Sequence, residues 1–560
     1  MLVLLLGPGR QIVLAPVRLF DGGAIQRGIE LVLAFLLVLV PSMLMGGTLP
    51  ALTRVVVHRL SGLAGSLGLL YGLNTLGAAG GVFTAGFFLF ERLGVTRSAF
   101  AAAGVQIAVG LTAIGLARGE RGPRSEPAAP AAETTAAVEA GPRVRQACLL
   151  AATAGGMAML GYEVLWTRLL SLFMRSFSYS FSLMLSLFLV GLCLGAIALA
   201  VLSERIRSPV NWLASLQLLI GLWVAASVLW LPDRLGRIPA TSFTEFLVDA
   251  ALRAAWIVLP PTILSGMALP LAARGFAAGL GRLGTDVGRV YAFNTIGAIA
   301  GALGAGLVLL PLFGVSTSFV LLAALNASAG AAVLAISRRG AFQFAAAALS
   351  ALACLIPLAR GSAPFERAFL EASPGSRSLG QVLFYEEGVT DTVAIVRREY
   401  GFFDPQAKSL ITNGIAMTAT VKPVWRYMSA EGHLPVLFNG GARNALAVGV
   451  GTGITLNALV SHPQLESIVA VELSEGVVAG LEYFDHENGG SHHDPRVQLV
   501  RDDGRHWMEL NDTSFDVITL EPPPPIVAGS VHLYSLDFYE LCNRRLAPGG
   551  VVAQWLPLHA

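Results

Sequence analysis

ALAVGVGTGITLNALVSH, residues 445–462, decides the fold of the C-terminal part of this chain. ALAVGVGTG is an apolar strand running into a glycine turn, and ITLNALVSH continues as a helix. Gly449, Gly451 and Gly453 form G-x-G-x-G, with Thr452 inside the turn. Glycine at the tip of a strand permits a tight turn and lets a ligand approach the backbone. No G-K-[ST] follows, so a Walker-A phosphate loop is excluded, and the spacing is not the G-x-G-x-x-G of a nicotinamide site.

Downstream the same alternation continues. SIVAVEL (467–473), VQLVRDDG (497–504), FDVITLEP (515–522) and GGVVAQWL (549–556) read as strands, with helical LYSLDFYELCNRRL before the last. Continuous apolar strands alternating with helices predict a parallel sheet covered on both faces, a Rossmann-like α/β domain. Glu472 ends the second strand, where an acid can hold both ribose hydroxyls. Asp503, with Asp502, ends the third, where a carboxylate can accept from the adenine amino group. A glycine turn and two acids on successive strand ends describe an adenosine site. The competing reading is helix capping by Asp502 and Asp503 with a solvated Glu472.

After the fourth strand comes EPPPP, Glu521 to Pro525. Proline has no N–H and a fixed φ, so this run is a rigid segment offering carbonyl acceptors beside one carboxylate. Acceptors without donors suit an amine or a sulfonium; a lid with no chemical part is the other reading. Glu521 is the one local candidate for a base, and Tyr534 is a candidate pocket residue. HENGGSHHD (486–494) lacks ligand spacing on a regular element, so a solvated loop is expected there and no metal. His506 is expected on a helix surface.

The N-terminal part is different in kind. The chain is 54% hydrophobic and only 13% charged, against about 25% charged in soluble domains. Runs near the ~20 residues that span a bilayer occur at 29–52, 65–90, 97–117, 147–171, 177–202, 210–231, 250–272, 287–312, 316–336 and 341–358, the last being the shortest. Eight of the nine histidines fall after residue 430, and long apolar runs all but stop near 358. A net charge of +2 argues against a nucleic-acid surface. Cys148, Cys193, Cys354 and Cys542 lie far apart with no C-x-x-C, which indicates neither a disulfide framework nor zinc.

Within that part the sequence repeats. PSMLMGGTLPALTR (41–54) matches PTILSGMALPLAAR (261–274), and YGLNTLGAAGGVFTAGFFLFERLGVTRS (71–98) matches YAFNTIGAIAGALGAGLVLLPLFGVSTS (291–318), both at an offset of 220. A polytopic helical membrane domain built from a parallel repeat is expected. The second unit holds about three helices that the first lacks, so a chain cut short before Met1 is expected. The small residues of NTxGAxxGxxxAG suit close helix packing; Asn74 and Asn294 could instead face a central path. In GYEVLWTR (161–168), Glu163 is either a substrate or proton site or an interfacial residue beside Trp166 and a snorkelling Arg168. The expected organisation is 1–117, an incomplete first repeat; 118–146, a loop; 147–358, the second repeat with one extra apolar segment; 359–440, a linker and small β domain; and 441–560, the nucleotide domain. Arginine counts slightly favour the side holding Arg54, Arg59, 118–146 and Arg338–Arg339 as cytoplasmic.

From about residue 383 to the end the chain resembles the spermidine synthases, aminopropyltransferases that use decarboxylated S-adenosylmethionine. The likeness lies in ALAVGVGTGITLNALVSHPQLESIVAVELSEGVV, YF, DPRVQLVRDDGR, FDVI and LYSLDFYELCNRRLAPGGVVAQW. Upstream, FYEEGVTDTVAIVRREY and SLITNGIAMTAT look like the small β domain over that family's active site. With its repeat, the whole resembles bacterial membrane-fused spermidine-synthase-like proteins, whose membrane half is likened to major-facilitator transporters. The resemblance implies decarboxylated S-adenosylmethionine, or S-adenosylmethionine, as co-substrate, a small amine acceptor, and no metal or nucleic acid. It also implies a multi-pass protein of the bacterial inner membrane, and leaves a homodimer open. With the arginines cytoplasmic, a spanning 341–358 puts the soluble domain outside the cytoplasm and a flat or buried one keeps it inside; a cytosolic nucleotide favours the inside. The sheet should continue past Ala560, so truncation is expected there too.

The departures bear on chemistry. Where the family has D-S-S-D-P, Glu521 stands at the first Asp and Pro524 at the second, which takes the amine's proton. Thr452 replaces the Asp of G-G-G-D-G, and Met417 a glutamine that holds the amine. Each lost charged hydrogen bond is worth about 1.5–3 kcal/mol, so the nucleotide half of the site reads as kept and the usual amine half as altered. Methyl transfer, from the likeness of EPPP to an N-P-P-Y loop, and a transporter with a nucleotide-sensing domain are the alternatives.

Overall fold

The computed structural model describes residues 24–57, 63–119, 141–174, 177–234, 242–337, 341–360, 380–397, 406–524, 527 and 530–556. Arg59, Arg338, Arg339, Pro525, most of the 118–146 loop and the 361–379 linker, on which several expectations rest, lie outside them. The N-terminal part consists of helices α1 (Ala24–Gly46), α2 (Thr48–Val56), α3 (Leu63–Thr84), α4 (Phe90–Gly119), α5 (Pro142–Met174), α6 (Phe177–Leu202), α7 (Pro209–Arg234), α8 (Phe243–Phe276), α9 (Leu283–Gly304), α10 (Leu310–Ser337) and α11 (Ala341–Ala353). Among the described residues, eight helices are long and apolar enough to cross a membrane by length and composition. One of them, Leu283–Ile336, has 54 residues. At 1.5 Å per residue that is more than twice the ~30 Å of a bilayer core, and it bends back at Gly314.

The 220-residue offset appears in the backbone. π-Helical turns occupy Ala85–Leu89 and Ala305–Leu309, and the chain breaks at Gly94 (φ 72°) and Gly314 (φ 71°). A side chain would strain that left-handed conformation. Elsewhere glycine lets backbones meet: a methyl on Gly297 or Gly301 of α9 would collide with the carbonyls of Thr153 and Met157 of α5.

Trp166 and Tyr162 are buried; their ring centroids lie 5.5 Å apart, and each is 6.3 Å from that of Phe319 of α10. The interfacial setting expected for Trp166 is therefore corrected, because this stretch faces the helix core. Arg168 does not snorkel to water; it bonds to backbone of the following domain.

One end of the bundle gathers the starts of α5 and α9, through Arg145–Asp286 at 3.2 Å, and the α6–α7 turn, where Gly275 lies against Cys148 and Pro209. Arg143, Arg145, Arg205, Arg207 and Arg282 belong to that end by the order of the helices. The soluble domain docks on the opposite end, on the end of α5 and the break at Gly314. Helix α11 packs against α10 and α7. It leads to Cys354, which is buried in one core with Tyr162, Leu172 and Val396, so the chain passes from the arginine-rich end to the soluble domain. The arginine-rich end and the C-terminal domain thus lie at opposite ends of the helical part.

Strands β1 (Gln381–Glu387), β2 (Thr392–Arg397), β3 (Lys408–Thr412) and β4 (Ile415–Ala419) form an antiparallel meander in the order 1-2-3-4. Successive strand side chains point to opposite faces, and here both faces are used. Ala394, Val396 and Ile411 join the core of the helices, while Val393, Ile395 and Leu410 pack on Val477 and Phe484. This explains why TVAIVR is apolar almost throughout. Helix α12 (Lys422–Asn439) follows, ended by Gly440 at φ 73°.

The last domain runs β5 (Asn444–Val448), α13 (Ile454–Val460), β6 (Ser467–Glu472), α14 (Glu475–Gly480), β7 (Val497–Arg501), α15 (Gly504–Leu510), β8 (Phe515–Leu520), α16 (Leu536–Arg545) and β9 (Leu546–Gln554). All five strands are parallel, in the order β7-β6-β5-β8-β9. The order reverses between β5 and β8, and in open α/β sheets ligands bind beyond the carboxyl ends at such a switch point.

Candidate active site

At that switch point lies a cavity of about 280 Å³, walled by the carboxyl ends of β5, β6 and β8 and roofed by the small sheet. Gly449 (φ 83°) could not carry a side chain: a Cβ there would sit 2.8 Å from the carbonyl oxygen of Glu521. The turn after it is held by Glu472, whose Oε2 accepts from the N–H groups of Val450 (2.9 Å) and Gly451 (3.4 Å) and whose Oε1 accepts from Ser474 N (2.9 Å). Burial pushes the Glu472 carboxyl up, and these three N–H groups work against that shift. A carboxylate has about four lone-pair sites, so one remains for a ligand hydroxyl.

Gly449, Gly451, Glu472, Asp503 and Glu521 line the cavity. Asp503 also caps α15, accepting from His506 N at 2.8 Å, so the capping and lining roles coexist. Asp502 is not in the lining; its Oδ1 lies 3.1 Å from His506 Nδ1. Thr452 and Gly453 are not in the lining either. Thr452 is fully buried, with its carbonyl taken by Asn488 Nδ2 at 3.0 Å, and Gly453 backs onto the same asparagine. The structure thus sets these three apart from the cavity lining, the second half of the turn pointing into the domain.

Tyr534 likewise lies outside the lining. Its hydroxyl lies 3.3 Å from Pro522 O and 3.2 Å from Pro523 O, bracing the proline run from outside the lining. Ser530 Oγ and Val527 N donate to Pro524 O at 2.7 and 2.9 Å. Pro524 O thus has donors already and Pro522 O and Pro523 O share one hydroxyl, so Pro522–Pro524 form a braced wall rather than a row of free acceptors. HENGGSHHD is no solvated loop. Asn488 and Ser491 are buried, and Ser491 Oγ donates to Gly453 O at 3.3 Å, so the segment underlies the glycine turn. Among the described residues no group of three metal-ligating side chains converges.

Sequence reading missed the roof and one acid. Thr390, Asp391, Asn413, Tyr427 and Trp555 line the cavity. Glu431, on α12, has a buried Oε1 without a hydrogen-bond partner. Burial pushes its carboxyl up to about 7, against a bond from the Trp555 backbone. Burial, then the nearby Glu431, hold Glu521 well above the usual carboxylate range, offset by Thr455 Oγ1 donating at 3.2 Å. The two form an interacting acidic pair beside the cavity. No sequence spacing announces it, because the residues are 90 positions apart on elements that meet only in the fold.

Comparison with known proteins bears on this part of the chain. Residues 425–555 match the spermine/spermidine synthase domain. The chain is 35% identical over 179 residues to polyamine aminopropyltransferases of Shigella flexneri and of Escherichia coli O1:K1, covering 32% of this chain and 60% of each relative. It therefore spans about three fifths of the length of the curated relatives it matches. A solved spermidine synthase in complex with the transition-state analogue AdoDATO is similar at 22% identity, with 31% of this chain and 57% of that one covered and a TM-score of 0.29. The C-terminal region carries a spermidine-synthase-like domain of Rossmann type.

Proposed function

We propose that the chain is a membrane-integrated transferase that moves an aminopropyl group from decarboxylated S-adenosylmethionine to a small amine. One observation carries this reading. The described lining of the cavity includes Asp391, Glu472, Asp503 and Glu521 and no lysine or arginine. A decarboxylated nucleotide and an amine are both cationic and suit such a site. S-adenosylmethionine would bring a carboxylate with no cation to meet it, which disfavours methyl transfer. Adenosine fits against Gly449 and Gly451, with Glu472 toward the ribose and Asp503 toward the base.

In the reaction the unprotonated amine nitrogen attacks the propyl carbon bound to sulfur. A C–N bond forms, the C–S pair returns to sulfur, and the sulfonium becomes a neutral thioether. The extra proton on nitrogen passes to a carboxylate. Glu521 lines the cavity, and burial with the neighbouring Glu431 raises its proton affinity, which suits it to take that proton. The pair supplies the negative charge that Pro524 and Thr452 do not. The eight apolar helices support a multi-pass membrane location, and the bacterial relatives support a bacterial one.

The test is mass analysis of products formed by the full-length protein from each nucleotide with a mixture of amines. An amine heavier by one aminopropyl group, together with methylthioadenosine, is expected from the decarboxylated nucleotide alone. Methylated amines from S-adenosylmethionine would replace this reading, and binding without product would leave a nucleotide sensor.

A further inference from the structure

The end of α5 is built into the roof of the cavity. Arg168 donates from Nη1 to Thr390 O at 2.9 Å and from Nη2 to Gly388 O at 3.1 Å. Both carbonyls belong to the turn between β1 and β2, which closes through Gly388 N to Asp391 O at 2.8 Å. Thr390 and Asp391 line the cavity. From there the bonds continue without a gap. Asp391 Oδ1 accepts from Ser474 Oγ at 3.0 Å, Ser474 N donates to Glu472 Oε1, and Glu472 Oε2 holds the glycine turn. A guanidinium fork can serve two carbonyls at once, whereas an ammonium is a point charge.

Two further contacts fix the same roof. Gly414, at φ 77° in the β3–β4 turn, lies so close to α5 that a Cβ would be 2.5 Å from Leu172 O, and its neighbour Asn413 lines the cavity. Glu387 Oε2 accepts from Val315 N at 2.6 Å, an N–H placed by the break at Gly314, and Glu387 Oε1 accepts from Tyr385 OH at 2.7 Å. At the matching break in the first repeat, a Cβ on Gly94 would meet nothing within 4 Å. Among the described residues, only the second of the two equivalent breaks is used for docking.

We infer that the helical half sets the shape of the nucleotide cavity, with Arg168 as a positioning residue that acts through the 388–391 turn, Asp391 and Ser474. Occupancy of the cavity and the seating of α5 are then linked, and linkage of this kind is reciprocal. The geometric part is independent of the proposed transfer; only the ligand arm of its test rests on the nucleotide reading.

Hydrogen exchange on the full-length protein in detergent tests it. Without nucleotide, Arg168→Ala is expected to speed exchange at amides 388–391 and 474 by about tenfold, with β5 and β6 unchanged. Arg168→Lys, which keeps the charge, should open the same amides by a smaller factor, and it carries the test if the alanine variant does not fold. With methylthioadenosine bound to the unmodified protein, exchange should slow at 165–172 and 315 as well as around the cavity. Arg168→Ala should weaken that ligand's Kd by about tenfold. Unaltered exchange at 388–391 and 474 in both variants overturns the positioning role. Protection confined to the soluble domain overturns the linkage. Failure of the unmodified protein to bind methylthioadenosine counts against the proposed function instead, while the ligand-free comparison still decides the role of Arg168.

Discussion

Thr455, in the first turn of α13, sets its hydroxyl between Glu521 Oε2 at 3.2 Å and Met428 O at 3.1 Å, so the carboxyl at the end of β8 is held from the helix that follows the glycine turn. The bond steadies a charge that burial and Glu431 oppose. Glu521→Gln keeps the shape and removes the base. Product formation should fall by at least about a hundredfold, while calorimetry still finds the nucleotide bound. Thr455→Val leaves Glu521 without its donor and should raise the apparent pKa of the pair, shifting the lower limb of the pH–rate profile upward. Unchanged turnover in Glu521→Gln would remove Glu521 from the chemistry.

Glu431 gives a stability signature with a definite sign. Its value in the fold stands at about 7, above the ordinary 4.5, so between those values the folded protein binds the proton more tightly than the unfolded chain. That contribution is complete below about pH 4.5 and is lost as pH rises through about 7. Glu431→Gln should remove this slope and should raise stability at pH 8 by roughly 1–3 kcal/mol, the usual cost of a buried unpaired polar group. Thermal melts of both proteins at pH 5 and pH 8 would check it. An equal pH response in the two would show that Glu431 is solvated.

Asn488 supports the glycine turn from below. Its Nδ2 donates to Thr452 O at 3.0 Å and to Leu481 O at 3.3 Å, and its Oδ1 accepts from Gly490 N at 2.8 Å. Asn488→Ala leaves buried carbonyls unpaired and should cost about 2–4 kcal/mol. Affinity for methylthioadenosine should fall with it, since the turn that meets adenosine loses its floor. Asn488→Asp supplies acceptors where two donors are needed and should do no better. A variant that melts and binds like the parent would make the asparagine incidental.

The strand ends were legible in the sequence because a parallel sheet writes its strands as unbroken apolar runs and places its site in the residues just after each run. Gly449, Gly451, Glu472, Asp503 and Glu521 obey that rule, and all five line the cavity. Side-chain direction within a turn has no such signature, so Thr452 and Gly453 could not be told from their neighbours. Tyr534 was placed in the pocket only by the likeness of its LYS to the L-Y-T of the spermidine synthases, and in the fold its hydroxyl lies against the proline carbonyls. Glu431 lies on a helix whose pattern says only which face is apolar. Asp391 reaches the cavity because a four-stranded sheet folds over the larger one, a docking that no local spacing encodes. Arg168 sits in an apolar run where interfacial snorkelling is the ordinary reading; its carbonyl partners are 220 and 222 residues away.

The path of the chain predicts which face carries the soluble domain. Arg54, Arg118, Arg143, Arg145, Arg205, Arg207, Arg274 and Arg282 lie at the end remote from it, against Arg92, Arg97, Arg234 and Arg253 toward the other end. Arginine excess marks cytoplasmic loops, and acidic residues contribute little to that rule. The arginine-rich end is therefore expected in the cytoplasm, with the soluble domain on the opposite face, contrary to the placement expected from a cytosolic nucleotide. Alkaline phosphatase fused after Ala560 should be active in intact bacteria, and a green fluorescent protein at the same point should stay dark. Such a result would require the nucleotide to reach the cavity from the outer face or through the helices that hold its roof. A bright fluorescent fusion with an inactive phosphatase would instead place the soluble domain with the cytosolic nucleotide and show that the arginines do not set the orientation.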